Sequence, residues 1–169
     1  ILKQSRIFDK NTTKMLQRIQ TIWLFLASTA LFALFLFPTV QWLGVDGKAH
    51  AAKVTGVYEG IQQQVVQTQP FTLLTIVCVL LAVFPFVIIF FYQNRPLQIK
   101  LCYLGIVAVL GFSFWLAKTI QQVADKPSFT SDNYGIGAML PSIAVLLFIL
   151  AIRGIRKDEN LIRSADRLR

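Results

Sequence analysis

Four long uncharged stretches divide the chain, and polar or charged segments separate them. The stretches are residues 22–43, 71–92, 101–117 and 136–152. A helix needs about 20 apolar residues, within a range of about 17–25, to cross the hydrocarbon core of a bilayer. None of the stretches alternates apolar and polar residues, and backbone groups in lipid must be hydrogen-bonded internally. The pattern therefore predicts four membrane-spanning helices.

The predicted spans divide the chain into three regions. Allowing for polar residues at the lipid boundary, we place the spans at about 22–43, 71–92, 99–117 and 136–153. They form a membrane domain over residues 15–156. Residues 1–14 are either a cytoplasmic tail or an upstream extension before a true start at Met15, and residues 157–169 form a basic cytoplasmic C-terminal helix. The predicted fold class is all-α: an integral membrane four-helix bundle with a small extracytoplasmic loop cap.

The largest loop, residues 44–70, has a composition unlike that of the spans. It mixes Val, Thr and Tyr with polar residues and glycine, which favours one or two short strands or a packed extended segment. A loop of this length without structure is uncommon in a compact domain. We expect a small cap on the bundle, and a ligand or partner surface is the alternative. The loop that follows the third span is rich in turn-forming residues.

Composition and charge agree with a membrane protein. Charged residues make up 15% of the chain, against about 25% in a soluble domain, and the mean hydropathy is +0.59. These values exclude a disordered chain, a collagen and a secreted disulfide scaffold. The net charge of +9 is explained by the enrichment of Lys and Arg at cytoplasmic span ends, without a nucleic-acid partner. Of the 17 basic residues, 13 fall on the side that carries both termini, which predicts cytoplasmic termini.

Residues at the span ends are expected to anchor the helices at the lipid–water interface, since aromatic and long basic side chains prefer that level. The predicted membrane-interface anchors are Arg18, Trp23, Trp42, Tyr92, Arg95, Lys100, Trp115, Arg153, Arg156 and Lys157, with Tyr134 on the outer side. Two prolines are candidate kinks. Pro38 lies near the outer end of the first span, where it either kinks or ends the helix, and Pro85 lies within the second.

Small residues in two spans predict close helix contacts. Ala27, Ser28 and Ala30 form a small-residue patch in the first span, and Gly105 and Gly111 lie in the third. Small side chains let two helix backbones approach closely in lipid, where burial of apolar surface does not drive helix association. We therefore expect these positions at helix–helix interfaces.

The chain offers little that supports catalysis. Asp, Glu, Lys, Arg and His are missing from the four uncharged stretches, so the sequence predicts no proton relay, voltage sensor or charged ion site there. Cys78 and Cys102 lie in apolar stretches and are interpreted as small hydrophobic residues. His50 with Asp46 and Glu59 is the one triad-like grouping, and an ordinary loop histidine beside acids is the preferred interpretation. We expect a protein that is not an enzyme and that has no cofactor or metal.

Both ends of the sequence resemble a known family. The segments MLQRIQTIWLFLAS (Met15–Ser28) and IRKDENLIRSADRLR (Ile155–Arg169) are similar to the ends of a Bacteroidota family of four-span inner-membrane proteins, domain of unknown function 4293. The likeness covers Met15–Arg169. It implies a Gram-negative inner membrane with the outer loops in the periplasm. It implies no activity and no site residues.

These observations predict a small polytopic inner-membrane protein without a catalytic motif. The expected role is that of a structural or accessory subunit of a membrane complex. Its partners would be the lipid bilayer and either another membrane protein or a second copy of the chain. Two alternatives remain open: a membrane protein that binds lipid or a small molecule, and a channel or transporter formed by oligomers.

Overall fold

Helices account for most of the described residues. The computed structural model describes residues 21–44, 47–61, 64–91, 94–124 and 133–167. Within these ranges the helices are α1 (Thr21–Ala33), α2 (Thr72–Phe90), α3 (Arg95–Val123) and α4 (Leu140–Arg167), with a 3-10 turn at Ile136–Ala138 before α4. A sheet of four strands lies between α1 and α2 in the sequence.

Three of the helices are long and apolar enough to cross a membrane. The qualifying segments are Thr72–Phe90, Arg95–Val123 and Ile136–Lys157, whereas the described part of α1 is shorter. At 1.5 Å per residue, the 29 residues of α3 extend about 43 Å, which exceeds a hydrocarbon core of about 30 Å. Helix α3 thus continues beyond the predicted end of the third span at residue 117. Helix α4 likewise continues into the predicted C-terminal segment and is described to Arg167.

Small residues bring the helices together. Ser28 and Ala27 of α1 are buried, and the Ser28 hydroxyl donates to the carbonyl oxygen of Ala82 on α2. Gly105 of α3 is buried against Phe148 of α4, where an added Cβ would lie 2.8 Å from the ring. The predicted packing role is therefore confirmed for these positions. Gly111 is exposed with open space around it, so for this residue the prediction is wrong.

The sheet corrects the all-α prediction. Its strands are β1 (Val40–Leu43), β2 (Ala49–Lys53), β3 (Gly56–Ile61) and β4 (Gln64–Pro70). They form one antiparallel sheet in the order β1-β2-β3-β4. The predicted loop 44–70 contributes three of these strands, and the end of the predicted span 22–43 contributes the fourth. Helix α1 ends at Ala33, so residues 40–43 were wrongly assigned to a helix.

The two prolines have different structural roles. Pro85 lies inside α2, and a kink at this position stays a prediction. Pro38 lies beyond the end of α1 and cannot kink it, which corrects that prediction and agrees with the alternative of a helix end. The Pro38 carbonyl oxygen accepts the N–H of Gly137 at 3.0 Å. An added Cβ on Gly137 would lie 2.7 Å from that oxygen, so the chain before β1 and the chain before α4 are in close contact.

Candidate functional site

The two faces of the sheet have different surroundings because side chains alternate along each strand. One face carries the buried row Val40, Ala52 and Val57, which belongs to the hydrophobic core shared with the helices. The opposite face carries Gln41, Ala51 and Tyr58 in register, with Leu43, Ala49 and Gly60 beside them. Small residues thus occupy the middle of the outward face, between the larger side chains of Leu43 and Tyr58.

An open groove of about 570 Å³ lies on this outward face. Its lining is Gln41, Trp42, Leu43, Ala49, His50, Ala51, Tyr58, Gly60 and Asn133. Asn133 forms one wall, since its side-chain amide donates to the Gln41 carbonyl oxygen at 3.0 Å. The surface of the groove is largely apolar and carries only a few polar groups. Such a surface can bind an apolar or aromatic segment and orient it through those groups.

His50 is held between Trp42 and Glu59. Its ring stacks on Trp42 with centroids 5.3 Å apart and an interplanar angle of 8°. Its Nδ1 lies 3.5 Å from a Glu59 carboxylate oxygen, in the register that pairs β2 with β3. The structure thus brings two members of the predicted triad-like grouping together, whereas Asp46 lies outside the described residues. The contacts described for His50 include no nucleophile, and in the described part of the chain no three His, Cys, Asp or Glu side chains are grouped as a metal site requires.

A second, smaller cavity lies where the sheet meets the helices. Its volume is about 150 Å³. It is lined by Thr39, Val40, Ser113, Leu116, Ala117, Ile120, Gln121, Tyr134, Ala138 and Pro141. The start of β1, the C-terminal part of α3 and the residues around the start of α4 all contribute. We call it the junction cavity.

Thr39 is the unusual residue of the junction cavity. It is 8% exposed, and its hydroxyl oxygen has no hydrogen-bond partner among the described residues. Its backbone is fully paired, because its N–H donates to Ala52 at 2.8 Å and its carbonyl oxygen accepts from Gly135 at 3.0 Å. Most buried hydroxyl groups have a hydrogen-bond partner, so Thr39 is an exception among the described residues. Sequence analysis missed both the groove and this hydroxyl.

The predicted interface anchors fall into two groups by position. Trp42, Trp115 and Tyr134 lie at the sheet end of the helices, and Trp115 and Tyr134 are exposed. Arg95 and Lys100 at the start of α3 and Arg153, Arg156 and Lys157 on α4 lie at the opposite end, and Trp23 is half-buried on α1. Arg18 and Tyr92 lie outside the described residues. Their anchoring role stays a prediction.

One contact joins α3 and α4 at the end of the molecule that is opposite the sheet. The Arg156 guanidinium donates to the Tyr103 hydroxyl at 2.8 Å and lies 5.8 Å from the centre of its ring. This contact joins the first turns of α3 to the later part of α4. The basic residues near it on both helices therefore lie at one end of the structure.

The fold and the two concave sites define a small, mainly helical protein with three helices able to span a membrane and a four-stranded sheet at one end. The sequence matches the family described as Domain of unknown function (DUF4293) over residues 16–168. The chain belongs to this family, which confirms the resemblance of its two ends. No curated protein matches the sequence significantly.

Proposed function

We propose that this protein is a multispan inner-membrane protein that acts by binding, as a structural or accessory subunit of a membrane complex. Helices α2, α3 and α4 cross the bilayer, α1 is the remaining crossing, and the sheet forms a cap in the periplasm. Both termini are cytoplasmic. The protein carries out no reaction and uses no cofactor.

The positions of the helix ends support this topology. The sheet follows the end of α1 and precedes α2, and residue Tyr134, before α4, forms a bridge with Val40 of β1. The end of α1 and the starts of α2 and α4 are thus on the sheet side. The Arg156–Tyr103 contact lies on the other side with Arg95, Lys100, Arg153 and Lys157, whereas Lys48, Lys53 and Lys118 lie on the sheet side. Basic residues favour the cytoplasmic side, so the sheet is on the periplasmic side.

The observation that carries the proposed role is the groove on the outward face of the sheet. Ala49, Ala51 and Gly60 leave room above the sheet, and Leu43 is 69% exposed at its edge. Exposed apolar surface with a polar border is typical of a site for another protein. We infer that the cap docks an extended or aromatic segment of a membrane-protein partner in this groove.

Photo-crosslinking in native membranes tests this role. The photoreactive residue p-benzoylphenylalanine replaces Ala51 in the groove, and the matched control carries it at Thr68, an exposed residue of β4. We expect one protein adduct of defined mass from the Ala51 position and none from Thr68. Equal labelling at both positions, or no adduct at Ala51, would contradict a docking role for the groove.

A second candidate function is the binding of lipid. The junction cavity favours it, because its lining is mostly apolar and it lies where the helices meet the sheet. The two functions use different surfaces and are compatible with each other.

A further inference from the structure

A lysine borders the groove on the outward face of the sheet. Lys53 is the last residue of β2, and the alternation of side chains along that strand places it on the same face as Ala49 and Ala51, which line the groove. Its ammonium lies 5.7 Å from the centre of the Tyr58 ring, which also lines the groove. The residue that pairs with Lys53 on β3 is Gly56, which has no side chain. A positive charge therefore lies at the border of a largely apolar groove.

The contacts around Tyr58 hold this charge in position. The Tyr58 hydroxyl is hydrogen-bonded to the Thr55 hydroxyl at 2.8 Å, and both residues are half-buried. The ring is thus fixed at its far end, and the Lys53 ammonium lies over it. An aromatic ring attracts a cation but carries no net charge. The contact therefore orients the lysine and leaves its positive charge without a counter-ion.

The described part of the cap supplies no carboxylate to this lysine. Among the described residues of the four strands and their turns, the acidic residue is Glu59. Glu59 follows Tyr58 in β3, so it lies on the opposite face of the sheet, where its carboxylate is 3.5 Å from Nδ1 of His50. No carboxylate of the described residues lies within 4.0 Å of the Lys53 ammonium. The outward face is thus electrostatically suited to an acidic group from another molecule.

We propose that the segment that docks in the groove carries an Asp or Glu whose side-chain carboxylate pairs with Lys53. An apolar or aromatic side chain of the same segment lies over Ala49 and Ala51. Residues on one face of an extended segment are about 6.6 Å apart, so the acidic residue is two positions from the apolar one. Charge complementarity of this kind selects one partner among many apolar segments. The inference rests on the proposed function and adds the chemistry of the partner.

The test measures how the crosslink from p-benzoylphenylalanine at Ala51 depends on the charge at position 53. The full chain is compared in native membranes with Lys53→Arg, Lys53→Gln and Lys53→Glu, at equal amounts of each variant by immunoblot. The matched control is Lys118→Gln on α3. The Lys118 ammonium lies 5.6 Å from the centre of the Phe114 ring, a contact of the same type, but Lys118 does not line the groove. Mass spectrometry then identifies the crosslinked peptide.

We expect the adduct yield to follow the charge at position 53. Lys53→Gln should lower the yield by about 1.5- to fivefold, the range for one partly exposed ion pair. Lys53→Glu should abolish the adduct, because two carboxylates repel each other. Lys53→Arg and Lys118→Gln should keep the yield of the natural chain. The crosslinked peptide should contain an Asp or Glu, and replacing that residue by Lys in the partner should restore the adduct with Lys53→Glu.

Three results would overturn the inference. Equal yields from the natural chain, Lys53→Gln and Lys53→Glu would show that docking does not use Lys53, as would be the case if its ammonium contacts lipid headgroups instead. An equal loss from Lys118→Gln would assign the effect to net charge. A crosslinked peptide whose acidic group is only a C-terminal carboxylate would refute the side-chain pair. A natural chain that gives no adduct at Ala51 overturns the proposed function as well, so the two failures are distinguishable.

Discussion

Ser28 and Ala82 are joined by a buried hydrogen bond, in which the Ser28 hydroxyl donates to the Ala82 carbonyl oxygen at 2.6 Å. The two residues lie on α1 and α2, 54 positions apart. The bond is located three residues before Pro85, which has no N–H to donate to the carbonyl of Leu81. The Ser28 hydroxyl thus bonds to the carbonyl next to the one that Pro85 leaves without its backbone donor, and it joins α1 to α2 at this point.

Ser28→Ala is expected to destabilise the contact between α1 and α2. Hydrogen bonds between membrane helices contribute about 0.6 kcal/mol on average and up to about 1.7 kcal/mol, and this one is buried and short. We expect Ser28→Ala to lower the free energy of unfolding by an amount near the upper value. The measurement is the midpoint of thermal unfolding in detergent, which should fall. Thr29→Ala is the matched control, since that exposed hydroxyl donates to the Phe25 carbonyl oxygen of its own helix. A larger loss from Thr29→Ala would contradict this role of Ser28.

Gly105→Ala is expected to disturb the packing of α3 on α4. The added Cβ would lie 2.8 Å from one ring carbon of Phe148 and 3.3 Å from a ring carbon of Phe84, so the rings must move. Overpacking of a tight interface costs about 1–3 kcal/mol. Gly111→Ala on the same helix meets no atom within 4 Å and should stabilise the helix by up to about 1 kcal/mol. Denaturation in detergent should show a lower free energy of unfolding for Gly105→Ala and a higher one for Gly111→Ala.

Gly56→Ala is expected to open the sheet at the turn between β2 and β3. Gly56 has a φ of 151°, and an added Cβ would collide with the Gln69 carbonyl oxygen of β4. The conformational strain and the collision together should cost about 2–5 kcal/mol. Hydrogen exchange of the β3 and β4 amides should become faster. Gly47→Ala is the control, because Gly47 has a φ of 70° with open space around it, so only the conformational cost applies.

The uncharged stretches predicted the three long helices correctly but misassigned β1. Residues 34–43 are as apolar as the helix before them, so hydropathy alone does not distinguish a buried strand from a helix end. The residues that indicate a strand here are Pro38 and the β-branched pair Thr39 and Val40 that follows it. In the structure, Val40 and Trp42 face the core while Gln41 and Leu43 are exposed, which is the alternation of a strand.

The two concave sites could not be predicted because each combines residues that are distant in the sequence. The junction cavity brings Thr39 beside Gln121 and Pro141. The Thr39 hydroxyl, which has no partner among the described residues, is buried by the folded chain around it, and the composition does not indicate this. The stacking of His50 on Trp42 also depends on the register of β1 and β2, which the sequence analysis did not assign.

Cysteine labelling tests the proposed orientation directly. Single cysteines at Ala49 in β2 and at Ser128 should react with a membrane-impermeant maleimide added to the periplasmic side, whereas a cysteine at Ser164 should react only after the membrane is opened. The natural Cys78 and Cys102 are both 0% exposed and should stay unlabelled, so the natural chain is a suitable background. The sheet side is predicted to face the periplasm because the basic side chains gather at the opposite end. Labelling of Ser164 in intact cells, with Ala49 protected, would reverse the orientation and place the groove and the junction cavity in the cytoplasm.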